Sequence, residues 1–331
     1  MVGDGGGAGG VPAAGDGGNG GDGGAPARIT LDEMDPSLLG DDRRDIGIEP
    51  AIERATTALA AAQWDRAVTA ARAALAIDAD EPAALAALAR GLAGKGWFDA
   101  AHEALSQATG QAGSRAEASA DLWYLQGWTS HRLGETERAL GELDHAVKQR
   151  KDDPATWNLI GVVHLDRAEA RDAIKALEIA RSHAADSVGI AINLGSAYRR
   201  AAAEAVEASE AQELWRKAEK SYRAALAAGL GRGRGFAAAY LGLGLLYLDA
   251  EGYPDLDDVE RLRRAVDNLE EIQDMDVPGV DRATVATYLG DARRLLDRAR
   301  RAKDKVQVQD KAKAKARATE RGAGARAGDK R

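Results

Sequence analysis

The sequence contains no cysteine among its 331 residues. Disulfide bonds, thiolate zinc sites, a cysteine nucleophile and lipid attachment to cysteine are therefore excluded for the chain as given. Long apolar runs are also missing, because no segment approaches the roughly 20 apolar residues of a membrane-spanning helix. The absence of cysteine does not decide whether the protein resides in an oxidising or a reducing compartment.

The start of the chain lacks the pattern of a signal peptide. Met1 is followed by glycine and aspartate, where a signal peptide has a basic segment and then an apolar one. We therefore expect a cytoplasmic protein from the sequence as written. A start codon assigned too far downstream would remove such a signal, and the expectation would then be a periplasmic or envelope-associated protein.

Aromatic residues make up only 5% of the chain, and prolines number eight. Alanine is very frequent, and alanine favours helix. Because its side chain is small, we expect the helices to pack closely together. The formal charge of −8 argues against a protein-wide surface for nucleic acid or acidic membrane. These features predict an all-α protein for which nucleic acid is not the expected partner.

Composition divides the chain into a tether, a body and a tail. Residues 1–44 are rich in glycine and poor in apolar side chains, which predicts a disordered tether. Residues 45–305 show helical periodicity that Gly, Pro and Asp interrupt at short intervals, which indicates many short helices. Residues 306–331 are basic and are predicted to be disordered.

The body contains an internal repeat of 34 residues. Coincident spacings at a single period indicate stacked copies of one structural unit. The residues that recur are Trp123 and Trp157; Gly127, Gly161 and Gly195; Ala139 and Ala173; Leu143 and Leu177; and Ala146 and Ala180.

The repeated unit resembles the tetratricopeptide repeat. Its aromatic residue, a small residue four positions later, and two small residues seven apart in a second helix are Trp157, Gly161, Ala173 and Ala180. The resemblance implies antiparallel helix pairs that cross where only Gly or Ala fits. It implies an all-α solenoid, a right-handed superhelix of about six helix pairs with a C-terminal capping helix, and it favours a bacterial protein.

The same pattern, although weaker outside residues 120–187, predicts further repeats in the rest of the body. Gly195, Ala218 and Gly244 are the expected packing positions of two extended repeats, whose first pair should have longer helices and whose second should contain a loop around Tyr253. The predicted segments are repeats 1 and 2 in residues 45–110, a mobile linker in 111–119, repeats 3 and 4 in 120–187, repeats 5 and 6 in 188–280, and the cap in 281–305.

The resemblance also implies a groove, lined by the first helix of each pair, that accepts a peptide. The family often uses Asn, Lys and Arg there as hydrogen-bond donors to a ligand. The complete pattern for clamping a ligand's two carboxylates is missing, so an acidic C-terminal peptide is only one of the expected ligands. The candidates are Asn158, Asn193 and Arg199, with His131, Arg132 and Arg200 in neighbouring register.

Aromatic residues divide into two groups. Trp123, Trp157 and Tyr240 stand where the family places a packing aromatic, so we expect them to contact the core. Trp128 and Trp215 lie outside this pattern. For these two tryptophans, packing and an exposed role as interaction anchor are both open.

Nothing in the sequence predicts an enzyme, a metal site or a cofactor. No pair of the five histidines has zinc-protease spacing, although His131 and His164 lie on neighbouring first helices. The glycines at 229–235 are not followed by Lys-Ser or Lys-Thr, so they do not form a phosphate-binding loop. We therefore expect a non-enzymatic scaffold for a protein or peptide partner, by family analogy in bacterial envelope assembly, secretion or motility. The basic tail leaves open electrostatic binding to nucleic acid, an anionic membrane or an acidic partner.

Overall fold

The computed structural model describes residues 47–115, 119–228, 234–273, 275 and 281–328. For residues 111–115, 234–235 and 314–328 only the backbone is described. The predicted tether, residues 1–44, lies outside these ranges. Within the described ranges the chain forms thirteen helices and no strand.

The chain divides into two compact units, an N-terminal unit ending at Ala185 and a C-terminal unit beginning at Asp186. The N-terminal unit contains α1 (Ile48–Ala60), α2 (Trp64–Leu75), α3 (Pro82–Gly94), α4 (Phe98–Arg115), α5 (Ala120–Arg132), α6 (Thr136–Gln149), α7 (Pro154–Asp166) and α8 (Ala170–His183). The C-terminal unit contains α9 (Val188–Glu204), α10 (Ala208–Ala228), α11 (Arg234–Asp249), α12 (Asp258–Gln273) and α13 (Arg282–Gly328).

Short turns join the two helices of each pair in the N-terminal unit. Each turn contains one residue with positive φ: Ala62, Gly96, Gly134 or Ala168. Only glycine takes this conformation without strain, so the turns at Gly96 and Gly134 are the more relaxed ones. Two of the first helices, α3 and α7, begin at proline, Pro82 and Pro154, where the missing N–H has no helical partner to lose.

In the pairs α5–α6 and α7–α8, a leucine from the second helix covers a glycine of the first helix. Gly127 lies under Leu143, so that a Cβ added to Gly127 would be 2.6 Å from Leu143 Cγ, and Gly161 lies under Leu177 in the same way. The alanines at the predicted crossing points, Ala139, Ala146, Ala173 and Ala180, have no exposed surface. Small residues therefore set the distance between the helices, and leucine fills the space around them.

The two repeated tryptophans lie at the edge of this core and are half-buried. Trp123 stacks on His145 with ring centroids 4.4 Å apart. The Trp157 indole N–H donates to the carbonyl of Lys151 at 2.7 Å, in the turn before α7. Trp123 thus contacts the second helix of its own pair, and Trp157 contacts the turn that precedes its helix.

The C-terminal unit has longer helices and a different covering side chain. Helices α9 and α10 are 17 and 21 residues long, and they are separated by the short break at 205–207. Tyr222 is fully buried and covers both Gly195 and Gly242, whereas Gly244 lies under Leu269. Ala218 has no exposed surface.

Two predicted segments differ in the structure. Residues 111–115, predicted to lie in a linker, continue α4 to Arg115, and residues 116–118 lie outside the described ranges. The capping helix, predicted to end at residue 305, continues through the tail to Gly328. Both segments consist largely of good helix formers, and tail residues 303–321 contain neither Gly nor Pro.

Candidate protein-binding surfaces

The first helices of consecutive pairs lie side by side. In the N-terminal unit α3 contacts α1 and α5, and α5 contacts α7. Along this row, Tyr124 and Trp128 on α5 are 34 residues before Asn158 and Val162 on α7, and all four side chains are half-buried. Arg90 on α3 is exposed. We call Arg90, Tyr124, Trp128, Asn158 and Val162 the first-helix surface.

The hydroxyl of Tyr124 remains protonated at neutral pH. Burial raises the pKa of Tyr124 to about 12; the negative charge of Asp153 acts in the same direction and the positive charge of Arg90 opposes it. A neutral phenol can both donate and accept a hydrogen bond. The first-helix surface therefore combines a phenol, an indole, an amide, an apolar valine side chain and an exposed guanidinium.

His131 and Arg132, predicted groove residues, lie at the end of α5 and have partners within the unit. His131 Nε2 is 2.6 Å from the Asp166 carboxylate at the end of α7, and the His131 side chain is 10% exposed. The Arg132 guanidinium lies 4.9 Å from the centroid of the Phe98 ring and is exposed. His131 therefore links two first helices, whereas Arg132 presents its charge to the outside.

The other three candidates, Asn193, Arg199 and Arg200, lie on α9 in the C-terminal unit, and each is half-buried. Arg199 forms an ion pair with Asp249 at the end of α11. Burial alone would lower the pKa of Arg199, but Tyr222 and Asp249 together raise it. The Arg199 Nε is buried and has no hydrogen-bond partner. Arg199 thus joins the first helices of its unit, as His131 does in the other.

Trp128 and Trp215 both have packing partners. Trp128 meets Phe98 edge to face at 5.8 Å and packs against the apolar clusters on both sides of α5. Trp215 stacks on Tyr253, which comes from the loop between α11 and α12, with centroids 6.4 Å apart. Both rings are only half-buried, so each combines a packing contact with an accessible edge.

The same loop holds the extended part of α10 by polar contacts. Gln212 donates to the carbonyl of Gly252 at 3.3 Å, Arg216 pairs with Asp255 at 3.0 Å, and the Tyr253 hydroxyl donates to Glu219. The additional turns of one repeat and the inserted loop of the next therefore pack against each other. Sequence spacing had shown both insertions but not that they are partners.

A cluster of serine, histidine and glutamate lies between α4, α5 and α6. His102 Nδ1 is 3.3 Å from Ser130 Oγ, and Ser130 donates to the Glu142 carboxylate at 2.5 Å. Ser130 has no exposed surface, and His102 and Glu142 are 6% and 7% exposed. A substrate does not reach Ser130 in this arrangement, so the cluster serves packing here.

The two histidines on neighbouring first helices, His131 and His164, each contact a different carboxylate. His131 contacts Asp166, and His164 Nδ1 contacts Glu169 at 2.7 Å. Within the described ranges, no group of three or more side chains is arranged to hold a metal ion. None of the helices described is both long and apolar enough to cross a membrane.

Sequence reasoning missed the acidic partners, Asp166 and Asp249, and the first-helix residues Arg90 and Tyr124. A usable signal existed for Tyr124, because it stands 34 residues before Asn158. Asp166 lies 35 residues after His131, whereas Asp249 lies 50 residues after Arg199. No single period covers both pairs, so only the packed structure reveals them.

Comparison with known proteins gives the fold a name. No protein-family model matches the sequence, and no curated protein is significantly similar to it. Solved structures do match. A chain of the Cut9–Hcn1 hetero-tetramer of the APC/C has a TM-score of 0.59 at 17% identity, covering 76% of this chain and 43% of that one. The present chain thus corresponds to less than half of that neighbour.

Two further structures are similar over most of this chain. PilF of Pseudomonas aeruginosa has a TM-score of 0.55 at 16% identity, covering 74% of this chain and 95% of PilF. Human IFIT1, as a dimer with m7Gppp-AAAA, has a TM-score of 0.52 at 15% identity, covering 71% of this chain and 52% of IFIT1. These neighbours are tetratricopeptide-repeat proteins. The chain has the tetratricopeptide-repeat fold, and the prediction of an all-α solenoid is confirmed.

Proposed function

We propose, from the tetratricopeptide-repeat fold and its surfaces, that this protein is a non-enzymatic scaffold that holds an extended segment of a partner protein. The observation that carries the proposal is the first-helix surface of the N-terminal unit. Its aromatic, amide and guanidinium groups occupy the fifth and ninth positions of three consecutive first helices, α3, α5 and α7, and these positions lie on one side of a helix.

This combination of side chains suits a peptide. Aromatic rings supply contact area at little entropic cost and often dominate binding energy at interfaces. The Asn158 amide can donate to and accept from a peptide backbone, and Arg90 and Arg132 can each bind a carboxylate with two hydrogen bonds. The partner segment should therefore carry an apolar or aromatic side chain close to an acidic one.

The remaining groove candidates take different roles in this proposal. Asn193 and Arg200 are a second contact site for a partner on the C-terminal unit. His131 and Arg199 act indirectly, since their pairs with Asp166 and Asp249 hold neighbouring first helices together. A role in bacterial envelope assembly, secretion or motility stays a prediction, which the identity of the partner will test.

A triple variant of the full chain tests the binding surface. Replacing Arg90, Arg132 and Asn158 by Ala removes three polar groups whose side chains are exposed or half-buried. Proteins captured from extracts of the source cells by the wild type should be lost, and the affinity for the identified segment should fall at least tenfold, about 1.4 kcal/mol.

The matched control replaces Lys148, Lys175 and Arg181 by Ala. These exposed residues lie on the second helices α6 and α8. The control should retain the partner, and both variants should keep the wild-type circular dichroism spectrum. Equal capture by the triple variant and the wild type would contradict the proposal.

A further inference from the structure

Charge is distributed very unevenly along the chain. Residues 298–331 contain thirteen Lys or Arg and four Asp or Glu, a net charge of +9. Because the whole chain has a formal charge of −8, residues 1–297 carry −17. A strongly basic segment is therefore attached to an acidic protein.

The structure makes the basic segment a continuation of the capping helix. Lys303 pairs with Asp257 at 2.6 Å, and residues 300–313 are exposed. Helix α13 continues for 25 residues beyond Lys303 to Gly328, a length of about 38 Å. That length is several times the Debye length of about 8 Å at physiological salt. The acidic groups around Lys303 are consequently screened from the cations near the far end.

The side chains of this helical segment favour one kind of polyanion. Val306 and Val308 are its exposed large apolar residues, and two positions along a helix place them on nearly opposite sides. A helix that binds in a membrane interface needs a continuous apolar face, which is missing here. No aromatic residue follows Tyr288, so stacking on unpaired bases is also missing. What remains is electrostatic attraction to a polyanion.

The cations repel one another when no partner is present. Lys313, Arg317 and Arg321 are spaced four residues apart, and so are Lys311 and Lys315. Like charges at this spacing are neighbours on a helix and destabilise it. A polyanion with closely spaced charges would remove that repulsion and stabilise the helix. Duplex nucleic acid carries one charge per about 1.7 Å of its axis.

We propose that α13 from Arg298 onward binds the phosphate backbone of double-stranded nucleic acid without reading its sequence. The expectation against nucleic acid concerned the surface of the whole protein, which is acidic. It does not extend to this helix, whose net charge is opposite and whose far end is screened from the acidic groups near Lys303. Binding would release counterions and should therefore weaken steeply as salt is added.

The test uses the full chain and a labelled DNA duplex of mixed sequence, about 24 base pairs long, with affinity measured by fluorescence anisotropy over a salt series. The tail variant replaces Lys311, Lys313, Lys315 and Arg317 by Gln, which retains helix propensity. The control variant replaces Lys148, Arg171, Lys175 and Arg181 by Gln, which changes the net charge equally in the N-terminal unit.

The wild type should bind, and the tail variant should bind at least tenfold more weakly at about 50 mM salt. The slope of log affinity against log salt should decrease in magnitude by about 3 to 4, since each phosphate contact contributes about 0.9. The control should change affinity less than twofold. Duplex should also raise the helical signal of the wild type at 222 nm more than that of the tail variant.

Three results would overturn the proposal: no binding at about 25 mM salt, equal weakening by both variants, or tighter binding to phosphatidylserine vesicles that duplex does not displace. Dependence on a single DNA sequence would overturn the claim that the sequence is not read. Capture of the protein partner should be the same for the tail variant and the wild type. The two functions therefore fail or succeed separately.

Discussion

In α5 and α7 of the N-terminal unit a leucine of the following helix covers one glycine, whereas in the C-terminal unit Tyr222 covers two. Leu143 and Leu177 lie over Gly127 and Gly161. The larger ring of Tyr222 occupies space that both Gly195 and Gly242 leave open, on two different first helices. A leucine at this position thus covers one glycine, and a tyrosine covers two.

The units also differ in how polar groups are buried. In the N-terminal unit His102, Ser130 and Glu142 form a network deep between helices. In the C-terminal unit the Tyr222 hydroxyl contacts Ser196 at 3.1 Å, and the neighbouring Arg199 reaches Asp249 near the surface. A longer second helix thus occurs with a larger core side chain and with polar contacts that extend outwards.

Removal of the Tyr222 ring should have the largest effect on stability. Tyr222→Ala should lower the free energy of unfolding by about 3–5 kcal/mol, because a large buried ring is lost and two glycines are left beside a cavity. Urea denaturation followed by circular dichroism measures this change. Leu295→Ala, at a 39% exposed site in the same unit, should change it by less than about 1 kcal/mol. Similar losses in both variants would contradict the covering role of Tyr222.

Two glycine substitutions test the contact in the N-terminal unit. Gly161→Ala should destabilise by about 1–3 kcal/mol, since the new methyl group would overlap the Leu177 side chain. Gly141→Ala should instead stabilise by up to about 1 kcal/mol, because Gly141 is in a helix and nothing lies within 4 Å of the added Cβ. Thermal and urea denaturation of both variants will show the opposite signs. A stabilising Gly161→Ala would mean that the helices can separate easily.

The link between α9 and α11 should depend on the Asp249 charge. Asp249→Asn leaves the Arg199 guanidinium, whose Nε is buried, without its carboxylate and should destabilise by about 1–3 kcal/mol. The control Asp255→Asn removes an ion pair with Arg216 in which both side chains are largely exposed, and should cost about 0–1 kcal/mol. If the two variants unfold at the same urea concentration, Arg199 is not held as the structure indicates.

Acid should destabilise the N-terminal unit through His102. Burial lowers the pKa of His102, so the unfolded chain takes up this proton more readily, and the stabilisation is lost as pH falls below about 6.5. Burial raises the pKa of Glu142, which opposes the loss because the folded chain holds that proton more tightly. The charged neighbours that act on His102 are Arg138, Glu135, Glu103 and Asp99.

The variant His102→Gln should therefore lose less stability than the wild type between about pH 7.5 and 5.5. Urea denaturation at the two pH values measures the difference. His183→Gln changes an exposed histidine and should behave as the wild type does. An unchanged pH dependence in His102→Gln would contradict the role of the buried network.

The 34-residue spacing of Gly127 and Gly161 and of Ala139 and Ala173 indicated a repeat, and the resemblance of that repeat to the tetratricopeptide repeat predicted an all-α solenoid of helix pairs. Close approach of two helices requires small residues at fixed positions, so the architecture leaves a direct trace in the sequence. Longer helices were also expected in the first extended pair, and α9 and α10 are indeed 17 and 21 residues long. The helical end of α4 and the helical tail were missed, because the helix propensity of the residues in these two segments was underestimated.

The candidate surfaces were less predictable than the fold. The resemblance to the family suggested Asn158, Asn193 and Arg200 as groove candidates, which stay a prediction, whereas Arg90 and Tyr124 were overlooked. Whether a side chain such as that of His131 or Arg199 faces a ligand or a carboxylate depends on which residue ends the neighbouring first helix. That contact joins residues 35 or 50 positions apart, at no common spacing.

The sequence by itself determined the repeat, the helix pairs and the uneven charge of the chain, because these depend on residue spacing and composition. Only the tertiary structure decided that Asp166 and Asp249 contact two of the expected groove residues, His131 and Arg199. It alone showed that Tyr222 bridges two glycines and that the loop carrying Tyr253 packs on α10. Such contacts depend on distances between helices far apart in the chain, and side-chain packing sets those distances.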